Sequence, residues 1–501
     1  MRPSRASLIS LLAIAAYAHS AVYQVGPSRQ YAALQDAVSL LNPGDTVLVD
    51  GNHTYAGGVS FRRAGSAQFP IVIKGVRISG NRPIISGGTN TVAFISGDPY
   101  TNGADHYVFE GFEVTGGSSR GIYHQADDLT IRDALVRDCP LQGILGADQG
   151  SGKCLIEFTE VRTCGSGDRN HQIYMATDEV HHPGSVFRLQ HCYIHDANGG
   201  NNVKSRAERN EIYYNWIEGA YYHELELIGC DGGDTGNIRL KREDSDVVGN
   251  VLRKTATAAG NDSNFSVTRI GGDGTGMSHG RYRFVNNTIL AGTGAVFRCF
   301  DSLESVEMSN NVFCARAQNS INLMRTVEAA WTVGAAIIAG CNNWVAQGAQ
   351  NIPTQWSGTI TGADPGFISK AGADFRPAQN SPLVNAGVAP TGPAGYLFPT
   401  PLYPPVCMPP QHMVAAAAIP RTITGAIDIG AFEYAPASIL RQPREQPIAT
   451  RDILSAARPV YDCRGRSIGA DARAGHVAII RMEHGSRLHV SFAGHSTGRG
   501  N

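Results

Sequence analysis

Between about residues 107 and 316 the chain repeats a short motif: an apolar residue, two or three mixed residues, a small or Asn position, and an apolar residue two places on. It occurs at Phe109…Val114, Ile131…Val136, Ile156…Val161, Leu189…Ile194, Ile212…Ile217, Val247…Leu252, Phe284…Ile289 and Met308…Phe313. Successive copies are about 22 to 37 residues apart, a solenoid period with loops of variable length between strands. Four successive copies carry Asn at the same place, Asn215, Asn250, Asn287 and Asn311. An amide there can donate and accept along the stack and tolerates the left-handed backbone of a tight corner. The predicted fold is therefore an all-β, right-handed parallel β-helix. Leucine-rich repeats would show a helix-length segment, and propeller blades are longer.

A solenoid exposes apolar end coils and needs caps. Leu34, Val38 and Leu41 share one face of a helix predicted over Tyr31–Leu41, which Asn42-Pro43-Gly44-Asp45 stops. Thr46–Val49 then opens the first coil. At the far end Asp364-Pro365-Gly366-Phe367, Ser381-Pro382-Leu383 and Asp428–Tyr434 are predicted to punctuate irregular final coils, with a rigid Pro-rich loop at 400–410. The expected division is a signal segment at 1–20, the β-helix at 21–434, a linker at 435–458 and a small β module at 459–501.

Residues 1–20 read as an export signal. Arg2 and Arg5 precede an apolar run, Leu8–Ala16, and Ala18-His19-Ser20 supplies small residues before a chain starting at Ala21. A short buried helix is the alternative. The expected location is secreted or at the cell surface, and no later stretch reaches the roughly 18 apolar residues of a membrane span. Ten cysteines show no CxxC pair. Cys139 and Cys164 fall at matching places in neighbouring coils, as stacked thiols or as a disulfide. A net charge of −1 gives no global basic field for nucleic acid. Any hold on an anionic partner must be local.

The helix cap, the Asn turns and the DPGF…SPL…DIGAFEY ending resemble secreted parallel β-helix proteins of the pectate-lyase-like superfamily, over roughly residues 22–434. Val460–Arg466 with Gly475–Arg481 resembles the C-terminal sorting domains of type IX secretion substrates, which implies the secretion machinery as a partner. The first resemblance implies an extracellular polysaccharide as ligand.

On such a sheet, residues two apart point outward and stack coil on coil about 4.8 Å apart, a linear surface that suits a polymer. Three consecutive coils carry the unusual residues: His171-Gln172-Ile173-Tyr174, Asn202-Val203-Lys204-Ser205-Arg206 and Tyr222-His223-Glu224-Leu225-Glu226. If Ile173, Val203 and Leu225 point inward, Tyr174, Lys204 and Glu226 form one outward ladder and Gln172, Asn202 and Glu224 a second. Cleaving a uronate glycan by β-elimination needs a carboxylate neutraliser, a base and an acid. Lys204 suits the base, Arg206 with Asn202 the neutraliser, and Tyr174 or His171 the acid. Gln172, Tyr222 and His223 complete the expected binding surface. Val203-Lys204-Ser205 before the Asn215 turn also resembles the base-bearing coil of the chondroitinase B and alginate lyase family. That family has an acidic pair for calcium before its Lys, where this chain has Ala197-Asn198-Gly199-Gly200. It has an Arg in the next coil, where this chain has Glu226.

Two other readings stay open. Lys204 and Glu226 also suit a structural salt-bridge ladder on a surface that only binds polysaccharide. Glu224 and Glu226, two apart on a strand, put carboxyls about 7 Å apart, within the span of an inverting glycosidase. No organic-cofactor fingerprint is present. Calcium is the one candidate metal, at Asp231-Gly232-Gly233-Asp234 and Gly271-Gly272-Asp273-Gly274, where plain turns are the commoner reading. His181-His182 and His191…His195 lack a third ligand for zinc.

Overall fold

The computed structural model describes residues 20–230, 243–255, 265–272, 280–300, 303–316, 320–326, 337–436, 476–482 and 488–494. Nearly all of the signal segment, the Asp231–Asp234 cluster and nearly all of the linker lie outside them. Contacts divide the chain into two units, Met1–Pro436 and Ala437–Asn501. In the second unit His476–Met482 pairs antiparallel with Leu488–Gly494.

The first unit is a parallel β-helix of three long sheets. Among the described residues sheet A has twelve strands from Val22–Val25 to Ile337–Cys341, sheet B twelve from Thr54–Ala56 to Ile360–Gly362, and sheet C ten from Val59–Phe61 to Met324–Thr326. Each coil contributes one strand to each sheet, as in Leu129–Arg132, Leu135–Arg137 and Ile144–Gly146. Inward residues form one continuous core, with Phe94, Phe109, Ile131, Leu189, Ile212, Phe284 and Phe297 fully buried.

The corner between sheets A and B explains the motif. Asn215, Asn250, Asn287, Asn311 and also Asn343 form an unbroken ladder, each Nδ2 donating to the next Oδ1 at 3.0 Å. The same amides donate to the backbone carbonyls of Leu189, Ile212, Val247, Phe284 and Met308. The left-handed residue is not the ladder Asn, as the sequence suggested, but the one before it: Asp133, Phe158, His191, Tyr214, Asn286, Asn310 and Asn342 all have positive φ, and Gly111 and Gly249 fill the same position. A bent backbone followed by a buried amide pairs the ladder side chains with the corner's backbone carbonyls.

The N-terminal cap is shorter than predicted. Only Gln35–Val38 is helical, although Leu34, Ala37 and Leu41 are fully buried against the first coils. The C-terminal segment is also corrected: it does not form final coils but runs back along the solenoid. Arg209 donates to the Pro399 carbonyl, the Leu402 N–H to Asp246, and the Val406 N–H to the Tyr214 hydroxyl. Asp428–Tyr434 lies on the A–B corner, where Asn286 donates to the Asp428 carbonyl and the Gly430 N–H to that of Asn310. Cys139 and Cys164 are buried thiols that form no disulfide with each other.

Candidate active site on sheet C

Register fixes one outward column along sheet C: Ser60, Ala93, Tyr123, Leu145, Tyr174, Lys204, Glu226, Arg269, Arg298 and Arg325. Ile173, Val203 and Leu225 pair in register and are fully buried, so Tyr174, Lys204 and Glu226 stack on the outer face as the alternation requires.

Lys204 Nζ lies 5.1 Å from the centre of the Tyr174 ring and 3.9 Å from Glu226 Oε2. Glu226 is 2% exposed and is held from three sides. Arg269 Nη1 is 2.7 Å from Oε1, Lys204 approaches Oε2, and Asn201 Nδ2 donates to Oε2. One carboxylate thus separates two cations that face the same column. Arg206 Nε donates to the Tyr174 hydroxyl oxygen at 3.1 Å, and its Nη1 donates to the Gly229 carbonyl at 2.6 Å.

His171 stands edge-on to Tyr174, ring centres 5.6 Å apart, and its Nδ1 accepts the Asn201 N–H at 2.9 Å. Burial, then the charges of Lys204 and Arg206, push its pKa down to about 3 against the opposing pull of Glu226. Its imidazole is held neutral, which works against the acid role the sequence offered.

Three sequence expectations are corrected. Gln172, Asn202 and Glu224 are not an outer ladder; all three are fully buried at the corner before sheet C. Gln172 donates to Asn202, which donates to Glu224, and Lys254 Nζ lies 3.6 Å from Glu224 Oε1 with both side chains fully buried. Burial raises the Glu224 pKa to about 7, while Lys254 pulls it down. The side chain turns into the corner because the Ala220 N–H, Asn202 and Lys254 satisfy it there. Glu224 therefore does not join Glu226 on the surface, and the carboxylate pair needed for inverting hydrolysis is not formed. His223 is likewise fully buried, its Nδ1 donating to the Ser266 carbonyl, so it offers no binding surface.

Tyr222 packs on Phe265, ring centres 4.1 Å apart, beside the arginine end of the column. Tyr213 belongs instead to sheet A and Tyr214 to the A–B corner, and Trp216 stacks on Phe375 in the core. Sequence reasoning missed Asn201, Arg269, Arg298 and Arg325. The last three were signalled by a recurring triplet, Thr268-Arg269-Ile270, Phe297-Arg298-Cys299 and Met324-Arg325-Thr326, matching Val203-Lys204-Ser205 and Leu225-Glu226-Leu227.

The residues around Lys204 do not fit a metal centre. The nearby exposed-face carboxylate is occupied by two cations, and among the described residues no group of three or more His, Cys, Asp or Glu is disposed to hold an ion. The other polar cluster, on sheet B, closes on itself: Tyr193 donates to Glu218, which also pairs with His412, while His195 sits between Glu160 and Asp196. His181 and His182 are likewise engaged, by Asp178 and the Tyr100 carbonyl.

No protein-family profile and no curated protein matches the sequence. Similar solved structures include pectate lyase Pel9A, 14% identical with a TM-score of 0.44 over 83% of this chain and 97% of that one. An alginate lyase from Paenibacillus sp. str. FPU-7 is 15% identical, TM-score 0.38, over 68% and 98%. The PL6 family polysaccharide lyase Pedsa3628 from Pseudopedobacter saltans is 12% identical, TM-score 0.34, over 66% and 89%. Among the described residues no helix is long and apolar enough to cross a membrane.

Proposed function

We propose that the protein is a secreted polysaccharide lyase that cleaves a uronate-containing glycan by β-elimination on the outer face of sheet C. The observation that supports this reading is the contiguous stack of Tyr174, Lys204, Glu226 and Arg269, in which a phenol, an amine and a guanidinium lie along one column. Lys204 takes the proton next to the uronate carboxylate. Arg269 neutralises that carboxylate, a role reassigned from Arg206, two of whose donors are engaged by Tyr174 and the Gly229 carbonyl. Tyr174 gives its proton to the departing oxygen, its own oxygen held by Arg206. Glu226 keeps the two cations apart and in place. The small C-terminal unit, on its sequence resemblance, engages the export machinery.

Incubation with a panel of polyuronates tests the reading. The expected product gains a double bond conjugated to the carboxylate and absorbs in the ultraviolet. New reducing ends without that absorbance would instead indicate hydrolysis, and binding with neither would make the face an adhesive one.

A further inference from the structure

The sheet C column changes chemistry part-way along. Ser60, Ala93, Tyr123, Leu145 and Tyr174 carry no charge, and the two charged groups beside Tyr123, Arg120 and Asp148, are of opposite sign. Beyond Glu226 stand three arginines in consecutive coils, Arg269, Arg298 and Arg325. Strand spacing sets their backbones about 4.8 Å apart, and like charges directly opposite one another disfavour the sheet.

The arrangement is built rather than incidental. The guanidinium carbons of Arg269 and Arg298 lie 4.0 and 4.5 Å from the centre of one ring, Phe300, which fixes both planar groups. The Nε atoms of both are buried and, among the described residues, have no hydrogen-bond partner. Arg298 is pushed below the ordinary arginine range by burial and by the charges of Arg269 and Arg325, with Tyr222 opposing. Among the described residues neither Arg298 nor Arg325 has an acidic partner, and the single carboxylate of the column is already shared by Lys204 and Arg269. Elsewhere on the surface the fold supplies the acid: Arg132 has Glu157, Arg137 has Glu113 and Arg188 has Glu211.

We propose that Arg269, Arg298 and Arg325 form an oxyanion ladder for acidic groups on consecutive sugars to one side of the reaction centre, while Tyr123, Leu145 and Tyr174 seat an uncharged sugar face on the other. The ladder sets the direction in which the glycan lies, and the preferred substrate is asymmetric in charge about the bond that is cut. This rests on sheet C being the glycan-binding face. Carboxylate and sulfate ester share the chemistry that fits the ladder.

The test is direct binding to full-length Lys204→Ala protein, read by calorimetry. The probes are an oligouronate, its sulfated counterpart and its carboxyl-reduced neutral analogue. Arg298→Gln and Arg325→Gln are each expected to weaken the better acidic probe about tenfold, as loss of a charge-assisted contact does. They are also expected to flatten its salt dependence and to leave the neutral probe unaffected. Arg188→Gln on sheet A is the control for a mere change in net charge and is expected to change nothing. Which acidic probe binds tighter identifies the anion. Acidic binding indifferent to Arg298 and Arg325, or equal binding of the neutral probe, overturns the ladder. The two readings fail separately. Arginine-dependent binding without unsaturated product from wild-type protein overturns the lyase and keeps the ladder. Unsaturated product with arginine-independent binding does the reverse. Circular dichroism and a melting curve of each variant establish that it is folded.

Discussion

Sheets A and C are built from the same coils yet treat charge in opposite ways. On sheet A the outward column Lys74, Glu110, Arg132, Glu157 alternates in sign, and neighbouring members pair across strands. Farther along, Arg188 meets Glu211, and Arg283 lies between Asp246 and Glu307. On sheet C the charged half of the column is Lys204, Glu226, Arg269, Arg298, Arg325, four cations to one acid. Like charges directly opposite one another do not stabilise a sheet, so the arginine stack adds nothing to the fold. Sheet A is a surface that stabilises itself; sheet C leaves its cations in excess among the described residues, as the proposed anionic ligand requires.

The contrast makes predictions that differ by sheet. Lys204→Ala is expected to lower turnover by about 10²- to 10⁴-fold, the usual contribution of a positioned base, with little change in melting temperature. Unfolding of the variant on purification would instead make Lys204 structural. Arg283→Met on sheet A is expected to do the opposite. It leaves Asp246 and Glu307 buried without their cation, which costs about 3 to 5 kcal/mol in denaturant titrations, while glycan binding by the folded fraction is unchanged.

The interior beneath sheet C gives the next largest effect. His124 is fully buried, and burial lowers its pKa to about 4; that of His171 is about 3. Both lie below the unfolded value near 6.5, so the unfolded chain binds more protons between the two, and stability falls as pH drops through that window. His124 alone accounts for about 3 kcal/mol between pH 7 and pH 4. Urea titrations of His124→Leu are expected to show a flatter acid limb, and an unchanged limb would remove His124 as the cause. The smallest stability effect is at Arg325→Gln, within about 0.5 kcal/mol of wild type, because nothing in the fold depends on that exposed charge. A large loss of stability there would mean that the stack is structural.

How much of this was legible in the sequence follows from the same division. The core motif and the Asn corner repeat at fixed offsets, so Asn215 to Asn311 announced the solenoid and the inward phase of Ile173, Val203 and Leu225. That phase placed Lys204 and Glu226 outward. It failed for Gln172, Asn202 and Glu224 because strict alternation ends where the strand ends, and those three stand at the corner, where a buried polar network replaces the pleat. The arginine ladder went unread for another reason: its members are 29 and 27 residues apart, beyond loops of unequal length, and only strand register brings Arg269, Arg298 and Arg325 together. The return of Asp428–Tyr434 along the corner was invisible too, since its partners Asn286 and Asn310 lie more than a hundred residues away in sequence.

The central claim is that sheet C breaks a glycan at Lys204, and paired time courses of wild-type and Lys204→Ala protein on one polyuronate test it most directly, followed by ultraviolet absorbance of unsaturated product. The account predicts a steady rise for the wild type and a flat trace for a variant with the same melting curve. Equal rises from both proteins, or reducing ends without absorbance, would contradict it.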